Sequence, residues 1–168
     1  MNNTANNTVN NMIKNKHKGA ALVELALILP LLLLLTFITT EFGRAMYEYN
    51  AITKSTRNAV RYLSFQTPPL PGVVSSPQVT QARNLMVYGS LVNTGTPLVR
   101  GLTLDNVPEA TCCTWQLSGS NPVINTVTVR VTNYTYHSLF SSVFGIAFGN
   151  ANGDITFSTI TATMRAAT

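Results

Sequence analysis

Glu24 is the clearest candidate for a functional residue, because its carboxylate lies within a run of apolar side chains. Residues 20–40, here called the apolar run, carry no other charge. An ionised carboxylate in bilayer hydrocarbon costs about 2.5–3.5 kcal/mol on insertion scales, so a partner or a proton must offset it. Cleavage after Gly19, a flexible and unbranched residue, would supply a partner: the new amine of Ala20 is positive and Glu24 becomes the fifth residue. The plainer alternative is that Glu24 snorkels to the cytoplasmic membrane surface.

Two adjacent cysteines, Cys112 and Cys113, are the second set of reactive side chains. Their spacing fits neither a CxxC redox motif nor a zinc knuckle. In an exported domain they could form a disulfide with each other, a link between two subunits or a strained loop staple. His137 lies near Tyr134 and Tyr136 and is predicted to be structural. No nucleotide loop, metal-ligand set or nucleophile with a base is recognisable, so we expect no enzyme, no metal and no cofactor.

Three segments must position these residues. Residues 1–19 are polar and end in a basic stretch, which predicts a disordered leader that stays in the cytoplasm. The apolar run, at about 1.5 Å per residue, spans roughly 30 Å, the thickness of a bilayer core, so one membrane crossing is predicted. Everything beyond it is expected to be exported. Much of the net charge of +5 comes from the lysines of the leader. The rest of the chain therefore carries no dense basic surface that could bind nucleic acid.

A helical pattern continues past the apolar run, through residues 41–64, here called the helical extension. Apolar or small side chains recur every seven residues at Phe42, Tyr49, Thr56 and Leu63. This stripe could pack on the chain's own domain or form a subunit interface. The basic side chains of Lys54, Arg57 and Arg61 lie on another face and are expected to be solvated. We expect the helix to end near Ser64, before the prolines of residues 67–72.

Residues 65–168 predict a small exported domain rich in strands. Ser76 with Pro77 is typical of a helix start, and the helix is expected to end near Gly95. The alternating valines of residues 127–132 predict a half-buried strand, and weaker strands are predicted near Leu98 and Asp154. The spacing of Phe140, Phe144 and Phe148 predicts a short amphipathic helix. The fold class is therefore α+β: a long N-terminal membrane-spanning helix that extends outside the bilayer, then a small antiparallel sheet with one or two short helices.

The N-terminal region resembles that of TadE-like pseudopilins of the tight-adherence (Tad, or Flp) pilus system. The resemblance rests on Gly19, residues 23–26, Leu29 with Pro30, residues 41–44, and residues 59, 61 and 62. It includes the form of a class III signal sequence, with a short basic leader, a Gly at the cleavage point and an acid five residues on. Leu25 departs from the usual aromatic after that acid. The C-terminal part is similar too, with a valine-rich strand, an aromatic segment and a final strand that closes on Met164 and Arg165.

The resemblance implies a minor pilin-like structural subunit that supports pilus biogenesis, adhesion and biofilm formation. It implies cleavage between Gly19 and Ala20 by a prepilin peptidase, and assembly through Glu24 with other pilins, pseudopilins and the inner-membrane pilus machinery. The predicted location is the bacterial inner membrane, with possible incorporation into a pilus. The alternative hypothesis is an uncleaved single-pass membrane protein whose exported domain binds a ligand or a protein partner. An ordinary secretory signal is disfavoured, since no clear A-x-A site follows the run.

Overall fold

The chain forms two compact units, Met1–Phe42 and Gly43–Thr168. The structure, a computed structural model, describes the backbone of residues 3–68, 76–120, 122, 124–140, 142–143, 145–147, 149–150 and 152–167. Side chains are described from Gly19 onward within these ranges, except that of Ser118. The prolines at 69 and 71, Phe144, Phe148 and the side chains of the leader therefore lie outside the described residues.

Helix α1, Asn3–Ser64, contains the leader, the apolar run and the helical extension in one element. Its end at Ser64 confirms the sequence prediction. The prediction of a disordered leader is wrong, because the backbone is helical from Asn3 onward. Pro30 lies within the helix and does not end it. Membrane helices tolerate such a proline because neighbouring groups can satisfy the freed carbonyl.

The apolar run is the main feature of the first unit. The helix from Gly19 contains an 18-residue window of mean hydropathy 2.7, and none of that window is buried. By length and composition it can cross a membrane. The three threonines of the run each donate their hydroxyl to the carbonyl four residues earlier, at 2.8 Å from Thr36, Thr39 and Thr40. These bonds leave the outer surface of the run almost wholly apolar.

The second unit begins at Gly43 and packs around the rest of the helical extension. The side chains of Ile52, Thr56, Ala59 and Leu63 have no exposed surface. Phe42 and Tyr49, by contrast, are 66% and 40% exposed. The predicted seven-residue stripe is thus core in its C-terminal half only. Lys54, Arg57 and Arg61 are exposed, as predicted.

Helix α2, Pro77–Tyr88, begins where the sequence predicts, and the Ser76 hydroxyl accepts a hydrogen bond from the Val79 amide at 3.3 Å. The prediction that this helix ends near Gly95 is wrong. Gly89 ends the helix instead, with φ of 70°, and its N–H donates to the Leu85 carbonyl. A glycine in this left-handed conformation is a common helix terminator, since a Cβ there is strained.

A three-stranded antiparallel sheet supplies the other face of the core. Strands β1 (Cys113–Ser118), β2 (Ile124–Val131) and β7 (Ile160–Arg165) lie in the order β1-β2-β7. Val127, Val129 and Val131 are buried, which confirms the alternating pattern. Between β1 and α2 lie a 3₁₀ turn, Leu104–Asn106, and the short helix α3, Glu109–Cys112. The strand predicted near Leu98 is wrong, because the chain there forms turns.

Two short antiparallel ribbons complete the unit. β3 (Thr135–His137) pairs with β6 (Asp154–Thr156), and β4 (Ser142–Val143) pairs with β5 (Ile146–Ala147). The amphipathic helix predicted from Phe140 onward is wrong, since these described residues form a β-ribbon. The segment from Asp154 holds two strands, β6 and β7, rather than one. The observed architecture confirms the α+β class, with a long apolar N-terminal helix and a small antiparallel-sheet domain.

Candidate functional site

Gly19, Ala20 and Glu24 lie within about one and a half turns of helix α1, and all three are exposed. Nothing lies within 4 Å of the position that a Cβ on Gly19 would take, so the backbone here is open to approach. Ala20 and Glu24 are four residues apart and therefore share one helix face. No described residue forms an ion pair with Glu24. The first unit thus brings the predicted site residues together and leaves the carboxylate available to an amine.

A buried acid on the helical extension forms a second polar site, which the sequence analysis did not predict. Glu48 is 8% exposed, and its Oε2 accepts a hydrogen bond from the Tyr134 hydroxyl at 2.7 Å. Arg44, one turn earlier, places Nη2 3.6 Å from Glu48 Oε1. The Tyr134 hydroxyl also lies 2.9 Å from the Arg100 carbonyl oxygen. Tyr134, which directly precedes strand β3, therefore ties the helix to the loop after α2.

Aromatic rings pack around Phe157 next to Tyr134, the hydrogen-bond partner of this carboxylate. The Phe157 ring centroid lies 5.5 Å from that of Tyr134, 5.8 Å from that of Tyr49 and 6.3 Å from that of Tyr136. The Arg44 guanidinium carbon lies 5.3 Å from the centroid of the Tyr136 ring, a cation–π distance. Burial, and then the hydrogen bond and charge of Glu48, raise the pKa of Tyr134. We call these residues, Arg44, Glu48, Tyr49, Tyr134, Tyr136 and Phe157, the Glu48 cluster.

Arg83 on α2 makes a second set of tertiary contacts. Its Nη1 lies 2.7 Å from Glu109 Oε1, and its Nε and Nη2 donate to the carbonyls of Val107 and Leu104. An arginine that makes several charge-assisted bonds is a rigid tie between elements. Here it joins α2 to the 3₁₀ turn and α3.

The three remaining residues singled out in the sequence, Cys112, Cys113 and His137, lie in the second unit. Cys112 and Cys113 are bonded to each other at the junction of α3 and β1, and Cys112 is fully buried. His137 Nδ1 lies 2.6 Å from Asp154 Oδ1 across the β3–β6 ribbon. This contact fits the structural role predicted for the histidine.

An open groove of about 460 Å³ lies between the helical extension and the end of α2. Tyr47, Lys54 and Asn58 line one side, and Gly89 and Leu98 line the other. Lys54 is the one charged side chain among the described residues that line it.

The sequence could have indicated only part of the Glu48 cluster. Arg44 and Glu48 have the spacing of a helical ion pair, which was visible. Tyr134, however, lies 86 residues further along the chain, and nothing in its neighbourhood points to the helix. The contact becomes visible only once the fold is known.

The comparisons with known proteins concern the N-terminal segment. Residues 19–61 match the family model described as TadE-like protein. The resemblance to the TadE-like family is confirmed over these residues. The match covers about a quarter of the chain and includes Gly19, Ala20, Glu24 and most of the helical extension. Neither a curated protein nor a solved structure matches the chain. A TadE-like segment implies a minor pilin-like protein associated with a Tad pilus, and the apolar helix suggests a single-pass membrane protein.

Proposed function

We propose that the protein is a minor pilin-like structural subunit of the Tad pilus system, without enzymatic activity. It is made as a prepilin, inserted into the bacterial inner membrane with its N-terminus in the cytoplasm, and cut by a prepilin peptidase between Gly19 and Ala20. The exported domain then serves in pilus assembly, adhesion and biofilm formation alongside other pilins, pseudopilins and the membrane machinery.

The observation that carries this proposal is the TadE-like match over residues 19–61, which begins at Gly19 itself. Two features of the structure support it. The backbone at Gly19 is open, and the Glu24 carboxylate has no partner among the described residues while it lies on the face of Ala20. A new amine on Ala20, in the same subunit or in a neighbour, would neutralise the charge of Glu24 and remove the free-energy cost of placing that charge in lipid.

Cleavage is tested by intact mass and N-terminal sequencing of the protein recovered from membranes or sheared filaments. We expect a chain that starts at Ala20. The Gly19→Leu variant is expected to keep its leader, because a branched side chain blocks the scissile bond. Gly43→Leu is the matched control, since Gly43 also lies on α1 with nothing within 4 Å of a Cβ. Full-length protein from wild-type cells that contain the peptidase would overturn the proposal.

The groove beside the helical extension favours a second candidate function: an uncleaved membrane protein that binds a ligand or partner through its exported domain. The same sequencing experiment separates the two, because this candidate requires the leader to remain. Alanine replacement of Lys54, which lines the groove, would then reduce partner recovery without a change in N-terminal sequence.

A further inference from the structure

Two parallel rows of side chains on the helical extension form one wall of the open groove beside α2. Each row repeats every four residues, so its members stack along one line on the helix surface. The inner row consists of Tyr47, Ala51 and Ser55, and the outer row of Asn50, Lys54 and Asn58. We call the outer row the polar row.

Small residues of the inner row leave room for the groove. Ala51 is half-buried and Ser55 is buried, and both line the groove. The Ser55 hydroxyl donates to the Ile52 carbonyl at 2.9 Å, so its hydrogen bond is made within the helix. The floor of the groove therefore presents mainly carbon atoms to an occupant.

The far wall of the groove is apolar and fixed. Gly89 ends α2 without a side chain, and Leu98 lies against it, since a Cβ on Gly89 would be 2.9 Å from Leu98 Cδ2. The Leu98 N–H donates to the Val87 carbonyl at 2.8 Å, which holds this part of the loop at the end of α2. Leu98 is 42% exposed. An apolar surface thus lies across the groove from the polar row.

The polar row is free to bind. Its three side chains are exposed, and none makes a hydrogen bond or ion pair with another described residue. An asparagine amide offers one donor group and one acceptor, which is the pair that a peptide group can match. Lys54 adds a positive charge, and no acid lies among the described lining residues. Charge complementarity therefore favours an occupant that carries a carboxylate.

The spacing of the polar row matches that of an extended peptide. Four residues of helix advance about 6 Å. Backbone groups on one edge of a strand recur every second residue, at about 6.4–6.8 Å. An extended segment that lies along the groove therefore presents one set of backbone groups to each member of the row. A compact ligand cannot do so, because Asn50 and Asn58 are about 12 Å apart along the helix.

We propose that the groove binds an extended, acidic segment of a partner protein, with Asn50 and Asn58 bonded to its backbone and Lys54 paired with its carboxylate. The backbone contacts provide binding that tolerates many sequences, and the side-chain contacts provide the preference for an acid. The inference goes beyond both functions proposed above, because a chain that starts at Ala20 and a chain that keeps its leader contain the same groove residues.

Selection from a peptide library tests the charge preference on the full chain in detergent micelles. The probe is a library of random heptapeptides, acetylated and amidated so that their ends carry no charge, and bound peptides are identified by mass spectrometry. We expect the wild type to enrich peptides that contain Asp or Glu. Lys54→Glu is expected to enrich peptides with Lys or Arg instead. Lys54→Gln, a milder change, should lose the preference for acids without gaining one for bases.

Arg57→Glu is the matched control for the charge. It changes the net charge of the chain as much as Lys54→Glu does, and Arg57 is exposed on the same helix but is not among the described lining residues. This variant should select the same peptides as the wild type. Near-UV circular dichroism of each variant checks that the domain remains folded.

The backbone contacts are tested with the peptide that the wild type enriches most, whose Kd is measured by fluorescence anisotropy. Asn50→Ala and Asn58→Ala should each weaken binding about fivefold, because each removes hydrogen bonds to the peptide backbone. Asn152→Ala changes an exposed asparagine that is not among the described lining residues and should leave the Kd unchanged. Methylation of the peptide nitrogens at one set of alternate residues should weaken binding far more than methylation at the other set, because one strand edge meets the polar row.

Several outcomes would overturn the proposal. No enrichment by the wild type, equal selection by Lys54→Glu, or the same shift in selection by Arg57→Glu would mean that Lys54 does not read a carboxylate in the groove. Equal effects of the two methylation patterns would mean that no strand edge lies along the polar row. N-terminal sequencing of the same preparation reports leader cleavage separately, so a failure of either proposed function and a failure of this inference are distinguishable.

Discussion

At the scale of the residue, two acids on helix α1 lie in opposite environments: Glu48 is buried and Glu24 is exposed. Glu48 is buried with a hydroxyl donor and an arginine beside it, which is the usual condition for keeping a carboxylate inside a protein. Glu24 is exposed and has no such partner among the described residues. The first acid belongs to the fold of the domain, and we propose that the second pairs with an amine of the same or a neighbouring chain.

Tyr134→Phe tests the role assigned to the Glu48 cluster. The substitution removes the hydrogen bond to Glu48 and leaves a buried carboxylate less well satisfied, which should cost about 2 kcal/mol. We expect a melting temperature lower by roughly 5–10 °C, measured by near-UV circular dichroism of the full chain in detergent. Tyr47→Phe is the matched control, because Tyr47 is 71% exposed on the same helix and should change little. Equal melting of the two variants would contradict the role.

The difference in stability between the wild type and Tyr134→Phe is expected to depend on pH. The pKa of Tyr134 is raised in the folded state above its ordinary value of 10.0, so folding favours the neutral phenol. This contribution is fully present below the unfolded pKa and is lost as pH rises above it, because the unfolded chain then gains stability by ionising. We expect the difference in melting temperature between wild type and Tyr134→Phe to shrink between about pH 8 and about pH 11. A constant difference would show that the phenol proton is not involved.

At the scale of the element, the sequence predicted those helix and strand features that depend on neighbouring residues alone. The cap of Ser76 with Pro77, the alternating valines of β2 and the end of α1 were all visible in the sequence. The spacing of the aromatic residues after Ser138 wrongly predicted a helix. A spacing of four residues can also arise by chance in strands, when small residues lie between the aromatic ones. Strand β1, which contains Cys113 and Trp115, has no clean alternation and was not predicted.

Of the candidate sites, too, only the one that depends on local sequence could be predicted. Glu24 could be found because one acid in an apolar run is anomalous without any knowledge of the fold. The groove and the Glu48 cluster depend on tertiary contacts, such as the Leu98 N–H that donates to the Val87 carbonyl and the Tyr134 hydroxyl that donates to Glu48. No periodicity reports such contacts.

Gly89→Ala tests how α2 ends. The left-handed backbone at φ of 70° costs a non-glycine residue about 1–2 kcal/mol. The added Cβ would also meet Leu98 Cδ2 at 2.9 Å, which adds strain unless that side chain moves. Gly95→Ala is a matched control with φ of 76° and nothing within 4 Å, so it carries the backbone cost alone. We expect Gly89→Ala to lower the melting temperature further than Gly95→Ala; equal losses would mean that Leu98 yields freely.

At the scale of the whole molecule, the two units have opposite requirements. The second has a buried core of its own, whereas the apolar window of the first is not buried at all by the chain. In lipid, helices gain little from apolar burial against one another, so polar contacts and close packing direct their association. The charge at Glu24 is thus the feature of the first unit best suited to select and align a neighbouring helix.

Glu24→Ala should separate cleavage from assembly. Processing at Gly19 is expected to continue, because the scissile backbone is unchanged. Incorporation should fall, since a polar contact between membrane helices is worth about 1–2 kcal/mol, on the order of tenfold in affinity. The measurement is the ratio of cleaved protein in sheared filaments, or bound to its assembly partners, to cleaved protein in the membrane.

Two further variants decide whether charge is the cause. Glu24→Gln keeps the shape and hydrogen bonding of the side chain but not its charge, so it should behave like Glu24→Ala if an ammonium is the partner. Leu27→Ala changes an exposed apolar residue of the same helix and should assemble normally. If the carboxylate merely reaches back to the membrane surface, all three variants will assemble as the wild type does, and the proposed pairing with the amine of Ala20 is wrong.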